Sequence, residues 1–164
     1  MMHIIVNALW VGALAGILGE LVRLGWSQTM PIHSQGLNQQ SPAKRLLEQL
    51  GLTKAERSSA VKVPGGQRIE YLPLALHYIY AILLAVFFVV WANVDGRVTE
   101  GLGTLYGFGC WAVFDVILLP LLKTVPMVWR RPWPELLVEL IGYLLFGWTL
   151  YLVAIGLPIS GVYF

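Results

Sequence analysis

Residues 72–93 read LPLALHYIYAILLAVFFVVWAN, 22 positions without an Asp, Glu, Lys or Arg. Crossing about 30 Å of hydrocarbon takes about 20 predominantly apolar helical residues, so this stretch alone is long enough to span a membrane. Three further runs match it: roughly Ile4–Leu24, Val98–Leu122 and Pro134–Leu157. Backbone groups in lipid must be paired within the protein, which helices of this length achieve, and no ten-residue alternation suggests a barrel. The whole chain, 1–164, therefore reads as a single all-α membrane domain with spans at about 4–24, 72–93, 98–122 and 134–157. A polar first loop, 25–71, carries a short amphipathic helix.

Composition agrees. Of 164 residues 57% are hydrophobic and 12% charged, against about 25% charged in soluble domains, and the mean hydropathy is +0.70. Nine of the 20 charges fall in residues 26–71, so water-facing and lipid-facing parts are segregated. Cys110 is the only cysteine, which excludes a disulfide scaffold and reads as a packing residue. A net charge of +2 gives no footprint for nucleic acid. The first run lacks a Lys or Arg n-region and is long, so it reads as a retained helix rather than a signal peptide.

Loop 1 carries Lys44, Arg45, Lys54, Arg57, Lys62 and Arg68; loop 3 carries Lys123, Arg130 and Arg131; loop 2 has only Arg97. Nine cations against one predict loops 1 and 3 to be cytoplasmic and both termini to lie outside. Asn93-Val94-Asp95-Gly96 reads as a tight turn joining two antiparallel spans. In loop 1, Ser41-Pro42 predicts a helix start, with Leu46, Leu47 and Leu50 as an apolar stripe ending at Gly51, and Val63-Pro64-Gly65-Gly66 predicts a turn. That helix either lies on the membrane with Lys44 and Arg45 toward lipid headgroups or packs on the protein's own loop. Pro120, Pro126, Pro132 and Pro134 stiffen loop 3, where Arg130 and Arg131 suit a lid, a lipid phosphate or a partner contact, or a plain turn. Trp10, Trp26, Trp91, Trp129 and Trp133 fall near predicted boundaries, as in an aromatic belt.

Gly12, Gly16, Gly19 and Arg23 share one face of the first helix, predicting close packing on another helix with Arg23 turned inward. Gly103 and Gly107 repeat the signature in the third span. The informative feature is a polar layer: Glu20, Arg23, His77, Asp115, Glu135 and Glu139, from four spans, with its deeper members about 7–10 Å in from the ends nearest loops 1 and 3. Its three deep acids, Glu20, Asp115 and Glu139, meet one cation, Arg23, while His77 accepts a proton near neutral pH. The excess negative charge calls for a proton, a cation, a partner's Arg or Lys, or a register-fixing buried network. No H-x-x-x-H or E-x-x-H spacing supports a metal, and no cofactor motif is present. Nucleophile elbow, phosphate loop, zinc-protease helix and CxxC pair are all missing, so the chain does not read as an enzyme.

Leu21-Val22-Arg23-Leu24-Gly25-Trp26 with Pro31, His77 opening a span, and Pro120, Pro126, Trp133, Glu135 and Glu139-Leu140-Ile141-Gly142 resemble the YagU-like inner-membrane proteins, from about Gly12 to Trp148. The resemblance implies a small protein of the bacterial inner membrane whose molecular activity is not established. Two departures stand out. Met30-Pro31-Ile32-His33 replaces a Pro-Pro-Arg element, and Asp115 and Tyr143 stand where the family carries histidine, which bears on whatever histidine chemistry the family shares. Family members also start in the cytoplasm with a basic amino terminus, opposite to the orientation the loop charges give. Two functions follow from these readings. One is a non-enzymatic accessory or assembly subunit of a membrane complex, or a homo-oligomer, with lipids and other subunits as partners. The other is a proton or cation pathway, linked to acid stress, through Asp115, His77, Glu139 and Glu20.

Overall fold

The computed structural model describes residues 2–30, 42–54, 60–62 and 68–162. Ser41, Pro31 to His33 and the expected turn at Val63-Pro64-Gly65-Gly66 lie outside the described residues. Among these residues four helical segments are long and apolar enough to cross a membrane. They are α1 (Met2–Thr29), α3 (Tyr71–Val94), α4 (residues 104–121, extended upstream by a 3-10 segment) and α5 (Trp133–Gly156). A shorter helix, α2 (Pro42–Gln49), lies in loop 1 and ends at Gly51, whose φ of +88° suits glycine. Loop 1 also holds a small ladder that the polar reading of the loop did not anticipate. Ala60–Lys62 (β1) pairs antiparallel with Arg68–Glu70 (β2), setting the β-branched Val61 and Ile69 opposite one another. Pro73, in the first turn of α3, is tolerated because the N–H it lacks has no intrahelical partner there.

The second and third spans turn sharply at Asp95, as expected, but the third is entered through a 3-10 segment rather than a regular helix. Asp95 accepts a hydrogen bond from the Arg97 backbone N–H (3.0 Å) and starts a 3-10 segment, Gly96–Gly103. Gly101, Leu102 and Gly103 then take φ of +64°, +58° and +78°, which breaks the helix. The regular helix accordingly begins at Thr104, six residues after the expected start at Val98. Within α4, residues Trp111–Leu118 wind as a π-helix, seen in the Leu119 N–H bond to the Phe114 carbonyl five residues back. Pro120 follows directly. Its missing N–H and the bulk of its ring disfavour ordinary α-helical turns just upstream, and the wider winding accommodates both.

Glycine decides which helices touch. A Cβ on Gly12 would lie 2.5 Å from the Val86 Cα of α3, and one on Gly16 would lie 2.6 Å from the Ile82 Cα. Gly19 turns to Phe146 of α5, so the glycine face of α1 serves two neighbours within the chain. Gly107 and Gly103 press on the backbone carbonyls of Tyr143 and Gly147 of α5 in the same manner. Helix α1 thus packs on α3 and α5, and α5 packs on α4. Helices α3 and α4 meet chiefly through aromatic side chains: Tyr80 with Phe114 and Phe88 with Tyr106, both at centroid distances of 4.9 Å. The Tyr106 hydroxyl also donates to the Leu84 carbonyl (2.7 Å).

The two ends of the bundle close differently. At the end remote from loop 1, the 3-10 turn Pro158–Ser160 folds back. Ser160 Oγ donates to the Ala154 carbonyl (2.5 Å), Asn93 Nδ2 donates to the Ser160 carbonyl (2.9 Å), and Val162 is buried in the core. At the loop-1 end, α2 bridges the start of α3 and the end of α4. Lys44 pairs with Glu70 (2.5 Å), Arg45 donates to the Thr124 carbonyl (3.0 Å), and Gln49 donates to the Leu122 carbonyl (2.6 Å). Those carbonyls lie at the helix C-terminus, where the backbone lacks intrahelical partners.

Replacing Gly107 by Ala is expected to cost about 1–3 kcal/mol through forced overpacking on the Tyr143 carbonyl. Gly25→Ala, at a site with nothing within 4 Å, should be neutral or stabilising by up to about 1 kcal/mol. Unfolding midpoints of the two variants in detergent check this pair.

Candidate functional site

The sequence places its polar residues at one depth, and the fold brings them to one place. Glu20 on α1 is 1% exposed and receives Arg23 Nε at 2.9 Å and Nη2 at 2.8 Å, a fork-on-carboxylate pair one helical turn apart. Arg23 Nη2 also lies 3.2 Å from His77 Nδ1 on α3, and its guanidinium sits 4.8 Å from the centre of the Tyr143 ring on α5. Arginine only donates, so His77 Nδ1 is the acceptor in this contact and the neutral ring carries its proton on Nε2. The same Nδ1 is 3.6 Å from Glu20 Oε1, within reach of an ion pair once it is protonated.

A second group faces this one. Arg131, from the segment between α4 and α5, is 7% exposed. Its Nη2 pairs with Glu139 and lies 3.4 Å from Glu135, while its Nη1 is 3.7 Å from Asp115 Oδ1. Burial opposes the Arg131 charge, but the carboxylates of Glu139 and Asp115 outweigh it and hold its pKa above the ordinary guanidinium value. The pairing is incomplete. Arg131 Nη1 and Glu139 Oε2 are buried without hydrogen-bond partners among the described residues. Asp115, 6% exposed, has Arg131 only beyond hydrogen-bond distance.

Between the two groups lies a cavity of about 400 Å³. Arg23, His77, Asp115, Glu139, Tyr80 and Tyr143 all line it, and Pro42, Ala43 and Leu46 of α2 lie across its loop-1 end. A second, more open hollow of about 570 Å³ follows the outer side of the α3–α4 seam toward the remote end, where Asp95 and Arg97 line it and Leu105 and Val113 are exposed. Phe114 lines both cavities and is packed edge-on against Tyr80. Among the described residues no three His, Cys, Asp or Glu side chains come together closely enough to hold a metal ion.

Arg23, His77, Asp115 and Glu139 converge on the cavity, with Glu20 behind Arg23 and Glu135 behind Arg131. Arg131 requires a correction. Expected at lipid headgroups or a partner's surface, it is turned into the protein, because three carboxyls of the layer attract a cation that loop 3 can deliver. Arg130 beside it remains exposed. Lys44 and Arg45 contact the protein's own elements rather than standing free for headgroups, which selects the packed-helix alternative for α2. Trp26 departs from the belt pattern too. Its Nε1 donates to the Val138 carbonyl of α5 (3.0 Å), and its ring lines the cavity. Sequence reasoning did not place Tyr80 and Tyr143 in the layer; the available signal was their position, each one helical turn from His77 and Glu139 respectively.

A family model described as a protein of unknown function, DUF1440, matches residues 17–152. The chain belongs to this family. The YagU-like proteins it resembles are members of the same family. No curated protein and no solved structure matches it. In this DUF1440 protein the matched span begins on α1 just before Glu20 and ends on α5 beyond Tyr143, so it contains every charged residue of the layer.

Arg131→Met leaves three buried or half-buried carboxyls without their cation and is expected to destabilise the fold by about 3–5 kcal/mol, as for one partner stripped from a buried pair. Arg130→Met should stay within about 0.5 kcal/mol. Adding Glu139→Gln to Arg131→Met should recover part of the loss, read from thermal unfolding of the purified proteins.

Proposed function

We propose that this protein binds a small cation, protons included, in the intramembrane cavity and passes it across the membrane along the α3–α4 seam. Charged side chains from several spans gathered on one cavity suit a carrier or pathway in the bacterial inner membrane better than a scaffold. The observation that carries the reading is the convergence of Asp115, Glu139, His77 and Arg23 on one cavity while buried polar atoms of Arg131 and Glu139 stay unpaired. A purely structural network pairs its members fully, because each unpaired buried polar atom costs about 1–3 kcal/mol.

Charge balance supports a cation. Four carboxyls, Glu20, Asp115, Glu135 and Glu139, meet two guanidiniums, Arg23 and Arg131. His77 supplies a proton site between Arg23 and Glu20, since Nδ1 accepts from one when neutral and donates toward the other when protonated. Phe114, shared by the two cavities, marks where a path between them would have to pass. The features that suggested an accessory subunit are accounted for within the chain. The glycine faces pack on its own helices, and the buried acids find a counterion in Arg131.

Reconstituted protein in liposomes holding a pH-sensitive dye should release protons when Na⁺ or K⁺ is supplied outside in turn, faster than protein-free liposomes do. Asp115→Asn and Glu139→Gln should each slow the active exchange at least tenfold. Rates unchanged in both variants, or no flux with either of these cations, would overturn the proposal.

A further inference from the structure

We infer that the cation taken by this cavity is an amphipathic organic amine, its ammonium on Asp115 and Glu139 and its hydrocarbon part against the leucines beneath α2. The inference rests on the cation reading above and names the substrate class of the same site. Three observations carry it.

The first is size. About 400 Å³ is more than ten times the volume a single water occupies, and falls in the range of about 300–1,000 Å³ typical of small-molecule sites. A bare ion or proton needs no such space. The second is the lining. Leu46, Leu76, Leu118 and Leu122 make an apolar wall, and Tyr80, Phe114 and Tyr143 add aromatic surface. A cationic headgroup gains from aromatic faces once it is desolvated, and an alkyl chain gains from the leucines. An inorganic ion would use neither. No group of three metal-ligating side chains exists among the described residues to replace the hydration shell of a divalent ion.

The third is how the charges are already engaged. Arg23 is held by Glu20, touches His77 and lies over the Tyr143 ring, so the cation on its side of the cavity is largely neutralised. Arg131 is shared by Glu139, Glu135 and, at 3.7 Å, Asp115. Asp115 therefore stands as a nearly buried carboxylate at the cavity wall with no cation at hydrogen-bond distance. An ammonium supplies three donors from a compact charge and suits the Asp115 and Glu139 carboxyls, which both line the cavity.

The test is a titration of the purified full chain in nanodiscs with hexylammonium chloride, followed by tryptophan fluorescence, since Trp26 lines the cavity. Neutral 1-hexanol and zwitterionic leucine serve as matched probes. Saturable hexylammonium binding is expected, at least tenfold weaker in Asp115→Asn and in Glu139→Gln. Leu46→Trp, which fills the apolar wall and leaves every charge in place, should abolish it; if Asp115→Asn fails to fold, the other two variants decide. Hexanol binding as tightly as hexylammonium, or leucine binding more tightly, overturns the inference. Absence of hexylammonium binding also overturns it: with proton exchange against Na⁺ or K⁺ retained only the substrate class falls, and with exchange lost as well the cation reading falls too.

Discussion

Close backbone approach along glycine faces is the constraint from which the rest of the structure follows. Gly12 and Gly16 bring α1 against α3, Gly19 turns it to α5, and Gly103 and Gly107 set α4 on α5. In lipid there is little hydrophobic drive between helices, so packing of this kind decides which helices are neighbours. Three tight contacts arranged in series leave a fourth, between α3 and α4, that glycine does not close. Aromatic rings bridge it at Tyr80–Phe114 and Phe88–Tyr106, and rings hold backbones apart. Both cavities lie where this looser contact permits them, one toward each end, with Phe114 between.

The same arrangement explains how charge is tolerated at membrane depth. Charged side chains within spans face the bundle interior and pair there, because lipid offers them nothing. Glu20 achieves this within its own helix through Arg23, one turn away. Asp115 and Glu139 cannot, since neither α4 nor α5 carries a basic residue inside the span. Their cation comes from the intervening segment. Pro126 and Pro132 limit the backbone freedom of that segment, and the 3-10 turn Val128–Arg130 places Arg131 directly before α5, facing the carboxyls.

Much of this was legible in the sequence. The number of spans followed from apolar length, the inward turn of Arg23 from its place on a glycine face, and the shared depth of Glu20, His77, Asp115 and Glu139 from counting residues along helices. What escaped depended on tertiary contacts. Arg131 and Arg130 are adjacent and chemically alike, and only the direction in which the chain enters α5 makes one buried and the other exposed. The late start of α4 rests on Leu102, a non-glycine residue with φ of +58° held between two glycines, a conformation that propensity argues against. The ladder Ala60–Lys62 with Arg68–Glu70 is too short for alternation to announce it.

A layer with compensating charges is not therefore a neutral one. Buried ion pairs work only when geometry is good and the remaining lone pairs are satisfied, and the two halves of this layer differ in that respect. On the α1–α3 side one guanidinium meets one deeply buried carboxylate at 2.8 and 2.9 Å, and the charge is matched. On the α4–α5 side one guanidinium is divided among three carboxyls, one of them 3.7 Å away, and the charge is not. The cavity lies between a matched wall and an under-matched one, so its field has a direction, with negative potential toward Asp115 and Glu139. That wall suits the positively charged ligand proposed above, whereas Arg23 opposite is already held by Glu20. The proposed preference for cations rests on the unequal sharing of these two arginines.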